Sequence, residues 1–404
     1  MKLSLPLKNS SGSRLLFILI LCLFTACKQQ IPSPITITCH IQGIPDSAKV
    51  ILLQNEGQLG RWINNGYFKN GICTFTYTPD STAVFPLDLG LYGDSLITGR
   101  LSFYAAPGIT RITGKNDFIN NWRIQNKTPE QKELNRMLDV VRPEAEHFYR
   151  IKAEIYKLYG QNKYDSPEMD SLKKLKEQKQ LLLQEAQFAY LKQLEKFGPA
   201  TLAEFNRMLL SGLKYSKTLE PRIEEARALS GKLTADQKES RIGEEILAIL
   251  FPPRQTGIGD TLPETLLYDT EGNPHRLSDF RGKYIILDFW SGGCGPCIMA
   301  GAEILRIREK YKDQITFISI STDYEKAWKE ASRTYHVSWT NLSDYKGWYA
   351  GFCSHFTING VPYFMIAGPD GKILSDWSGY SDGIIAKKAD RLLNSQSGIN
   401  KISD

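Results

Sequence analysis

The chain has 404 residues, and at roughly 100–200 residues per domain this length predicts two or three domains. Hydrophobic residues make up 42% of the chain and charged residues 23%, which excludes collagen-like and wholly disordered proteins. The formal net charge is +6, which falls to +3 without the basic residues of the N-terminal segment, Lys2, Lys8 and Arg14. So small a charge argues against a nucleic-acid-binding protein.

Residues 1–26 are typical of a secretory signal peptide, because a basic start precedes an apolar run from Leu15 to Phe24. This run is too short for a membrane-spanning helix, which needs about 20 apolar residues. The sequence Leu23-Phe24-Thr25-Ala26-Cys27 resembles the bacterial lipoprotein box, in which the cysteine is lipidated and becomes the new N-terminus. The resemblance implies a lipid anchor at Cys27, a tether over residues 27–34, and a bacterial cell-envelope location on the periplasmic side or the outer surface. The alternative is an ordinary signal peptide that is cleaved near a cysteine.

Residues 35–127 are predicted to form an antiparallel, sandwich-like β domain. β-Branched and aromatic residues alternate over 35–41, 49–53 and 73–77, and turn residues separate these runs. Cys39 and Cys73 both lie in predicted strands. We favour two buried free thiols, and a disulfide between them remains the alternative.

Residues 128–251 are predicted to be helical, with four or five helices, because apolar residues recur there at helical spacing among Lys, Glu and Gln. The apolar stripe of this region is Leu172, Leu175, Leu182, Ala186, Tyr190, Leu194 and Phe197. Packing of the stripe against the chain's own helices is favoured, and a homodimer seam is the alternative.

Residues 252–262 form a predicted linker rich in Pro and Gly, and residues 263–395 form a third domain. Strand and helix signals alternate there, which predicts an α/β sheet. The strands are expected at 265–268, 284–290, 315–321, 363–368 and 372–377, and the helices at 294–311, 324–335 and near 383–393.

The chemistry is predicted at Cys294-Gly295-Pro296-Cys297, which follows the apolar strand 284–290 and opens a helix. A helix N-terminus supplies unpaired N–H groups and a positive dipole end, which favour a thiolate. Cys294, at the mouth of the turn, would attack a disulfide, and Cys297 would resolve the mixed disulfide. Pro296 is compatible with the first helical turn, where its missing N–H costs nothing.

Redox activity of the cysteine pair has three alternatives: zinc binding, a structural disulfide and an inactive remnant. Zinc binding needs about four ligands, and the sequence offers no second Cys-x-x-Cys and no paired His spacing among five histidines. A structural disulfide would constrain only a three-residue step, and an inactive remnant is the third alternative. Redox activity is favoured, with no metal and with no cofactor other than the redox-active disulfide itself.

Asp288-Phe289-Trp290 followed by Cys294-Gly295-Pro296-Cys297 resembles thioredoxin, and residues 277–284 resemble its membrane-tethered TlpA/ResA-like subgroup. This resemblance covers about residues 256–395. It implies a cis-proline loop, and Gly360-Val361-Pro362 fits one. It also implies proton exchange between Asp288 and Cys297, with Trp290, Gly295, Pro296, Val361 and Pro362 at the substrate-binding surface. The pattern of Gly43, residues 49–52, residues 70–75 and residues 106–110 resembles, more diffusely, a β-rich domain of unknown function found ahead of thioredoxin-like domains in bacterial lipoproteins.

The sequence departs from this family at three positions. Gly293 stands where many members have a Trp, after Gly292, so a more flexible loop is expected there. Ala300 replaces a Glu common in the tethered subgroup, and Ser319 stands where thioredoxin has a Lys that partners the buried Asp. Cys353, among apolar residues, is expected to be a buried inert thiol.

The sequence therefore predicts an envelope thiol-disulfide oxidoreductase, most simply a reductase of protein disulfides. Its expected partners are a disulfide-containing client, the membrane through its lipid anchor, and a membrane electron donor of unknown identity. One alternative is a ligand- or protein-binding lipoprotein whose thioredoxin fold is only structural. A second is a thiol peroxidase, although no Pro-x-x-x-Thr/Ser-x-x-Cys signature precedes Cys294 or Cys353.

Overall fold

The computed structural model describes residues 33–55, 60–79, 85–92, 97–116 and 119–399. The predicted signal peptide, the lipidation residue Cys27 and most of the predicted tether lie outside these residues. The multidomain architecture predicted from the sequence is confirmed: a β-rich region, a helical region and a C-terminal α/β domain follow one another along the chain. Among the helices that the structure describes, none is long and apolar enough to cross a membrane.

The β-rich region forms two four-stranded sheets around one apolar core. In β1 every second residue is buried, as expected for a strand with one face on a core, and its buried residues are Ile35, Ile37, Cys39 and Ile41. Side chains of the second sheet, such as Val50, Leu52 and Leu89, belong to the same core. The strands are β1 Ile35–Gln42, β2 Lys49–Asn55, β3 Gly60–Tyr67, β4 Ile72–Tyr77, β5 Phe85–Tyr92, β6 Ile97–Ala105, β7 Gly108–Lys115 and β8 Arg123–Gln125.

The sheet orders are β4-β1-β7-β8 and β3-β2-β5-β6. The predicted antiparallel pairing holds for every described pair of these sheets except β1 and β7, which are parallel. Cys39 and Cys73 face each other directly across the β1–β4 ladder, and both are buried free thiols, as favoured from the sequence. Burial raises the pKa of both thiols, so both are held in the inert protonated form.

The helical region contains six α-helices within the described residues, more than the four or five expected. They are α1 Pro129–Gly160, α2 Pro167–Gln193, α3 Pro199–Leu209, α4 Ile223–Ser230, α5 Ala235–Glu239 and α6 Arg241–Leu250. α1 and α2 pack together as a long hairpin. Each begins after a hydroxyl cap, Thr128 or Ser166, followed by a proline that has no N–H to satisfy.

The prediction that the apolar stripe along α2 is packed against the chain's own helices is wrong for two of its residues. Leu175 and Leu182 are exposed, whereas the core is filled by Leu183, Phe188 and Leu191. The stripe was assigned from spacing alone, and a leucine-rich helix such as α2 offers two neighbouring stripes of similar apolarity. Contacts with α1 and α3 decide which stripe is buried.

The C-terminal domain is built on a five-stranded sheet of order β13-β12-β11-β14-β15, with β11 at its centre. β12 is parallel to β11, and β14 is antiparallel to it. The predicted elements occur in the predicted order, and the short strands β10 and β13 are additional. The elements are β9 Leu267–Tyr268, β10 Pro274–His275, β11 Tyr284–Trp290, α7 Gly295–Tyr311, β12 Ile315–Ser321, α8 Glu325–Thr334, β13 Thr340–Leu342, β14 Tyr363–Ala367, β15 Ile373–Ser378 and α9 Ile384–Ile399. β11 is buried on both faces, and its residues are therefore apolar except for Asp288.

The helical region contacts the C-terminal domain through α6. The Tyr324 hydroxyl donates to the buried carboxylate of Glu245, and Lys346 forms an ion pair of 2.6 Å with Glu244. The segment after α6 also bonds to the C-terminal domain, where the N–H of Gly259 donates to the carbonyl of Ile373. The start of α8 is therefore tied to the helical region.

Candidate active site

Cys294 and Cys297 lie where β11 turns into α7, and a disulfide joins them. Cys294 is the N-cap residue, and its Sγ accepts a hydrogen bond of 3.1 Å from the backbone N–H of Cys297. Cys297 is only 2% exposed, whereas Cys294 is half-buried and is flanked by the exposed residues Gly293, Gly295 and Pro296. Cys294 Sγ is thus the sulfur that another protein could reach.

The loop before β14 lies against the cysteine pair. The Val361–Pro362 peptide bond is cis, as the family resemblance implied. The Val361 carbonyl oxygen lies 3.5 Å from Cys294 Sγ, although 67 residues separate the two in sequence. A backbone segment thus stands beside the reactive sulfur, where an extended chain could pair with it.

Asp288 lies on the face of β11 that looks toward α7. Side chains alternate along a strand, so Asp288 shares its face with Ile286 and Trp290. Ile286 packs in one cluster with Ala300 of α7, and Trp290 packs in another with Cys297. Asp288 therefore lies on the buried face of β11 between these two contacts.

The environment of Asp288 favours a proton. The side chain is 2% exposed, and burial raises the pKa of Asp288 to about 7, because a carboxylate loses its hydration there. The Ser319 hydroxyl donates a 3.0 Å hydrogen bond to Oδ2 and opposes this rise, while Oδ1 has no hydrogen-bond partner among the residues that the structure describes. A carboxyl group with this pKa can exchange a proton near neutral pH.

Ser319 does more than the sequence indicated. From the sequence, Ser319 only removes a charged partner of Asp288. In the structure its hydroxyl links that carboxylate to Trp339, whose indole N–H donates to Ser319 Oγ at 2.8 Å. A chain of hydrogen bonds thus runs from Trp339 through Ser319 to Asp288.

Trp290 was predicted at the substrate-binding surface, and the structure places it beneath that surface. It is 3% exposed, and its indole N–H donates to Asn341 Oδ1, which also accepts from Trp328. Trp290 and Trp328 form one cluster with Cys297 and Ala331. Among the predicted surface residues, Gly295 and Pro296 are exposed, Val361 is partly exposed, and Pro362 is buried.

Sequence reasoning missed the polar residues that support the site from the loop after β12, from β13 and from the residue before β13. These are Asp323, Asn341 and, through Ser319, Trp339. The one available signal was Asp323 directly after an apolar strand, in a sheet whose parallel strands end at the same edge as β11.

The remaining thiol of this domain, Cys353, is buried and free, as predicted. Burial raises the pKa of Cys353 well above its ordinary value, so the thiol stays protonated. Over the described part of the chain, no group of three or more His, Cys, Asp or Glu side chains could hold a metal ion.

Comparisons with known proteins agree on the C-terminal domain. A model of the AhpC/TSA family matches residues 258–376. The thiol-disulfide oxidoreductase ResA of Geobacillus thermodenitrificans is 42% identical over 57 residues, which cover 14% of this chain and 33% of that protein. The C-terminal domain is a ResA/TlpA-like thioredoxin-fold domain. The resemblance identified from the sequence is thereby confirmed.

Two further proteins are similar to part of this chain. ResA of Geobacillus kaustophilus is 50% identical over 40 residues, which are 10% of this chain and 23% of that protein. A solved thiol-disulfide oxidoreductase from Bacteroides fragilis is 27% identical and covers 33% of this chain and 99% of its own, with a TM-score of 0.30. The chain spans a third or less of the length of these two ResA proteins, so the similarity concerns the ResA-like domain alone.

Proposed function

We propose that this protein is a thiol-disulfide oxidoreductase of the bacterial cell envelope that reduces disulfides in client proteins. The observation that carries the proposal is the position of Cys294, half-buried at the start of α7 and beside the Val361 carbonyl. The sulfur can be reached, it meets the backbone N–H of Cys297, and a backbone segment next to it can orient a client.

The first step is attack on the client. The helix N-terminus stabilises the Cys294 thiolate of the reduced protein, which attacks one sulfur of a client disulfide. A bond forms between Cys294 Sγ and that sulfur, the client S–S bond breaks, and the second client sulfur leaves as a thiolate. The client is then held as a mixed disulfide.

The second step releases the client. Cys297 loses its proton and attacks Cys294 Sγ, which forms the Cys294–Cys297 disulfide and expels the first client sulfur as a thiolate. Asp288 is the group assigned to accept the Cys297 proton, since its pKa of about 7 suits proton exchange at neutral pH. A membrane electron donor must then reduce the disulfide for another cycle.

The reducing direction rests on the Gly295-Pro296 dipeptide. It is the dipeptide of thioredoxin, whose potential is about −270 mV, against about −120 mV for the oxidant DsbA. A dithiol of the lower potential is the stronger reductant of the two, and it donates electrons to strained or exposed disulfides, whose potentials are higher.

Insulin reduction tests the proposed activity. The reduced full chain should accelerate insulin precipitation in the presence of dithiothreitol, and chain alkylated beforehand with iodoacetamide should not. Equal rates with both preparations would refute the enzyme and favour the rival, a binding lipoprotein with a structural thioredoxin fold.

The envelope location rests on the proposed lipidation of Cys27. A Cys27→Ser chain is expected to lose its lipid and to be either uncleaved or released in soluble form. Labelling of growing cells with a fatty-acid probe measures this, with Cys39→Ser as the matched cysteine control. Absence of label on the wild-type chain would contradict the lipoprotein assignment.

The two reactive cysteines should differ in rate. In the reduced protein at pH 7, Cys294 is expected to be alkylated before Cys297, because Cys294 is the more exposed sulfur and Cys297 is 2% exposed. Timed alkylation with peptide mapping measures the order. Faster labelling of Cys297 would reverse the assigned roles.

A further inference from the structure

Asp323 is a buried carboxylate that the proposed chemistry does not use. It follows β12, is 8% exposed, and faces the loop between β11 and Cys294. Its Oδ1 accepts a 2.7 Å hydrogen bond from the Ser291 hydroxyl, and its Oδ2 accepts a 2.7 Å bond from the backbone N–H of Gly292. Both carboxylate oxygens are therefore engaged by the active-site loop.

These bonds continue to Cys294. The Ser291 carbonyl accepts the N–H of Cys294 at 3.1 Å, and the Ser291 hydroxyl accepts the N–H of Gly293 at 3.4 Å. Ser291 thus links the two residues: its hydroxyl is bound to Asp323, and its carbonyl is bound to the backbone N–H of Cys294. The conformation of this turn decides where Cys294 Sγ lies relative to the N–H of Cys297.

The same loop is restrained by packing. A Cβ on Gly292 would lie 2.4 Å from the Cβ of Ala331, so α8 approaches the loop as closely as a glycine permits. α8 begins directly after Asp323 and Tyr324, and the bond from Tyr324 to Glu245 ties that start to the helical region. The expectation of a loose Gly292-Gly293 loop is therefore not matched by its contacts.

Asp323 itself is well fixed. Its backbone N–H donates to Ser321 Oγ at 3.1 Å, and the N–H of Thr322 donates to the Trp290 carbonyl at 2.9 Å. These bonds join the C-terminal ends of the neighbouring parallel strands β11 and β12. Burial raises the pKa of Asp323, and its bonds to Gly292 and Ser291 oppose that rise.

We propose that Asp323 is a positioning residue that, through Ser291 and Gly292, holds Cys294 in the orientation that stabilises its thiolate. The proposal rests on the proposed redox function, but it concerns a property of the cysteine pair that can be measured without a client. A loop released from Asp323 would let Cys294 Sγ leave its alignment with the helix N-terminus, which would make the thiolate less stable.

Two variants test this in the full reduced chain. Asp323→Asn removes the charge and one acceptor, and Ser291→Ala removes only the hydroxyl bonds and leaves the charge in place. Both are expected to slow iodoacetamide alkylation of Cys294 at pH 7 by about 3- to 10-fold, since the thiolate fraction falls. Both should also shift the equilibrium with glutathione toward the protein disulfide by a similar factor, up to about 30 mV.

Asp344→Asn is the matched control. Asp344 is a partly buried carboxylate of the ResA-like domain that also accepts backbone N–H groups, those of Lys346 and Phe352, but it belongs to a different loop. This variant is expected to lower the denaturation midpoint without changing the alkylation rate or the redox equilibrium of Cys294.

The outcomes separate the mechanisms. Faster alkylation in Asp323→Asn with no change in Ser291→Ala would mean that Asp323 acts by its charge, and would overturn the positioning role. Unchanged alkylation and unchanged equilibrium in both variants would overturn it as well. If insulin is not reduced by the wild type, the proposed function fails, whereas the alkylation and equilibrium measurements still decide the role of Asp323.

Discussion

Replacing Cys294 with Ser is expected to lower disulfide reduction to the uncatalysed rate, because a serine hydroxyl at neutral pH is not an effective nucleophile toward sulfur. Cys297→Ser should behave differently. Its Cys294 can still attack, but no second thiol can expel the client, so mixed disulfides should accumulate. The two variants therefore fail at different steps of the same reaction.

Both variants can be compared in one experiment. Each chain is incubated with a disulfide-bonded protein, quenched with acid and alkylated, and the covalent adducts are identified by mass spectrometry. The matched control is Cys353→Ser, since Cys353 is buried and free, and its loss should leave the wild-type rate. Adducts formed by Cys294→Ser through Cys297 would contradict the assigned order of attack.

Replacing Asp288 with Asn is expected to slow the resolution step by about 10- to 100-fold, close to the usual contribution of a general base. Asn has nearly the same shape and can still accept the Ser319 hydroxyl, but it cannot take a proton from Cys297. Attack by Cys294 should change much less. Single-turnover reduction of a model disulfide measures the two steps separately.

The pH dependence follows from the raised pKa of Asp288. The folded protein holds this proton up to about pH 7, whereas the unfolded chain loses it near the ordinary value of 3.8. The cost of ionising Asp288 in the folded state is therefore absent at pH values below 3.8, and the folded state becomes progressively less stable as the pH rises to about 7. Asp288→Asn lacks this loss, so its stability relative to wild type should increase by on the order of 4 kcal/mol between pH 4 and pH 8.

Denaturation curves between pH 4 and 8, and resolution rates between pH 6 and 9, test the two parts. The wild-type resolution rate should rise through about pH 7 as Asp288 ionises, and the variant should lack that inflection. Ser319→Ala is the control: it keeps the carboxylate but removes a bond that lowers its pKa, so the inflection should move to higher pH. Unchanged resolution with reduced stability in Asp288→Asn would make Asp288 a structural residue.

The order of the C-terminal elements could be predicted from the sequence alone, for a physical reason. Strand β11 is apolar over nearly its whole length because both of its faces are buried, and α7 begins at a Cys-Gly-Pro-Cys step that suits a helix start. The cysteine pair is local in the chain, so its chemistry follows from its neighbours. The cis Val361–Pro362 bond followed from the family resemblance and not from local residues.

Other features depended on contacts that spacing cannot show. The stripe of α2 could not be assigned because Leu175 and Leu183 are equally apolar, and only the packing partners decide which is buried. The parallel pairing of β1 with β7 joins segments about 70 residues apart, and local alternation specifies neither partner nor direction.

The sequence by itself determined the cysteine pair, its place at a helix start and the buried acid before it, since these lie within ten consecutive residues. Only the tertiary structure decided what surrounds them. Asp323 lies in the loop after β12, Asn341 in β13 and Trp339 directly before β13, all more than 25 residues farther along the chain. Hydrogen bonds from such segments to the site depend on strand order and register, which are set by the packing of the whole domain.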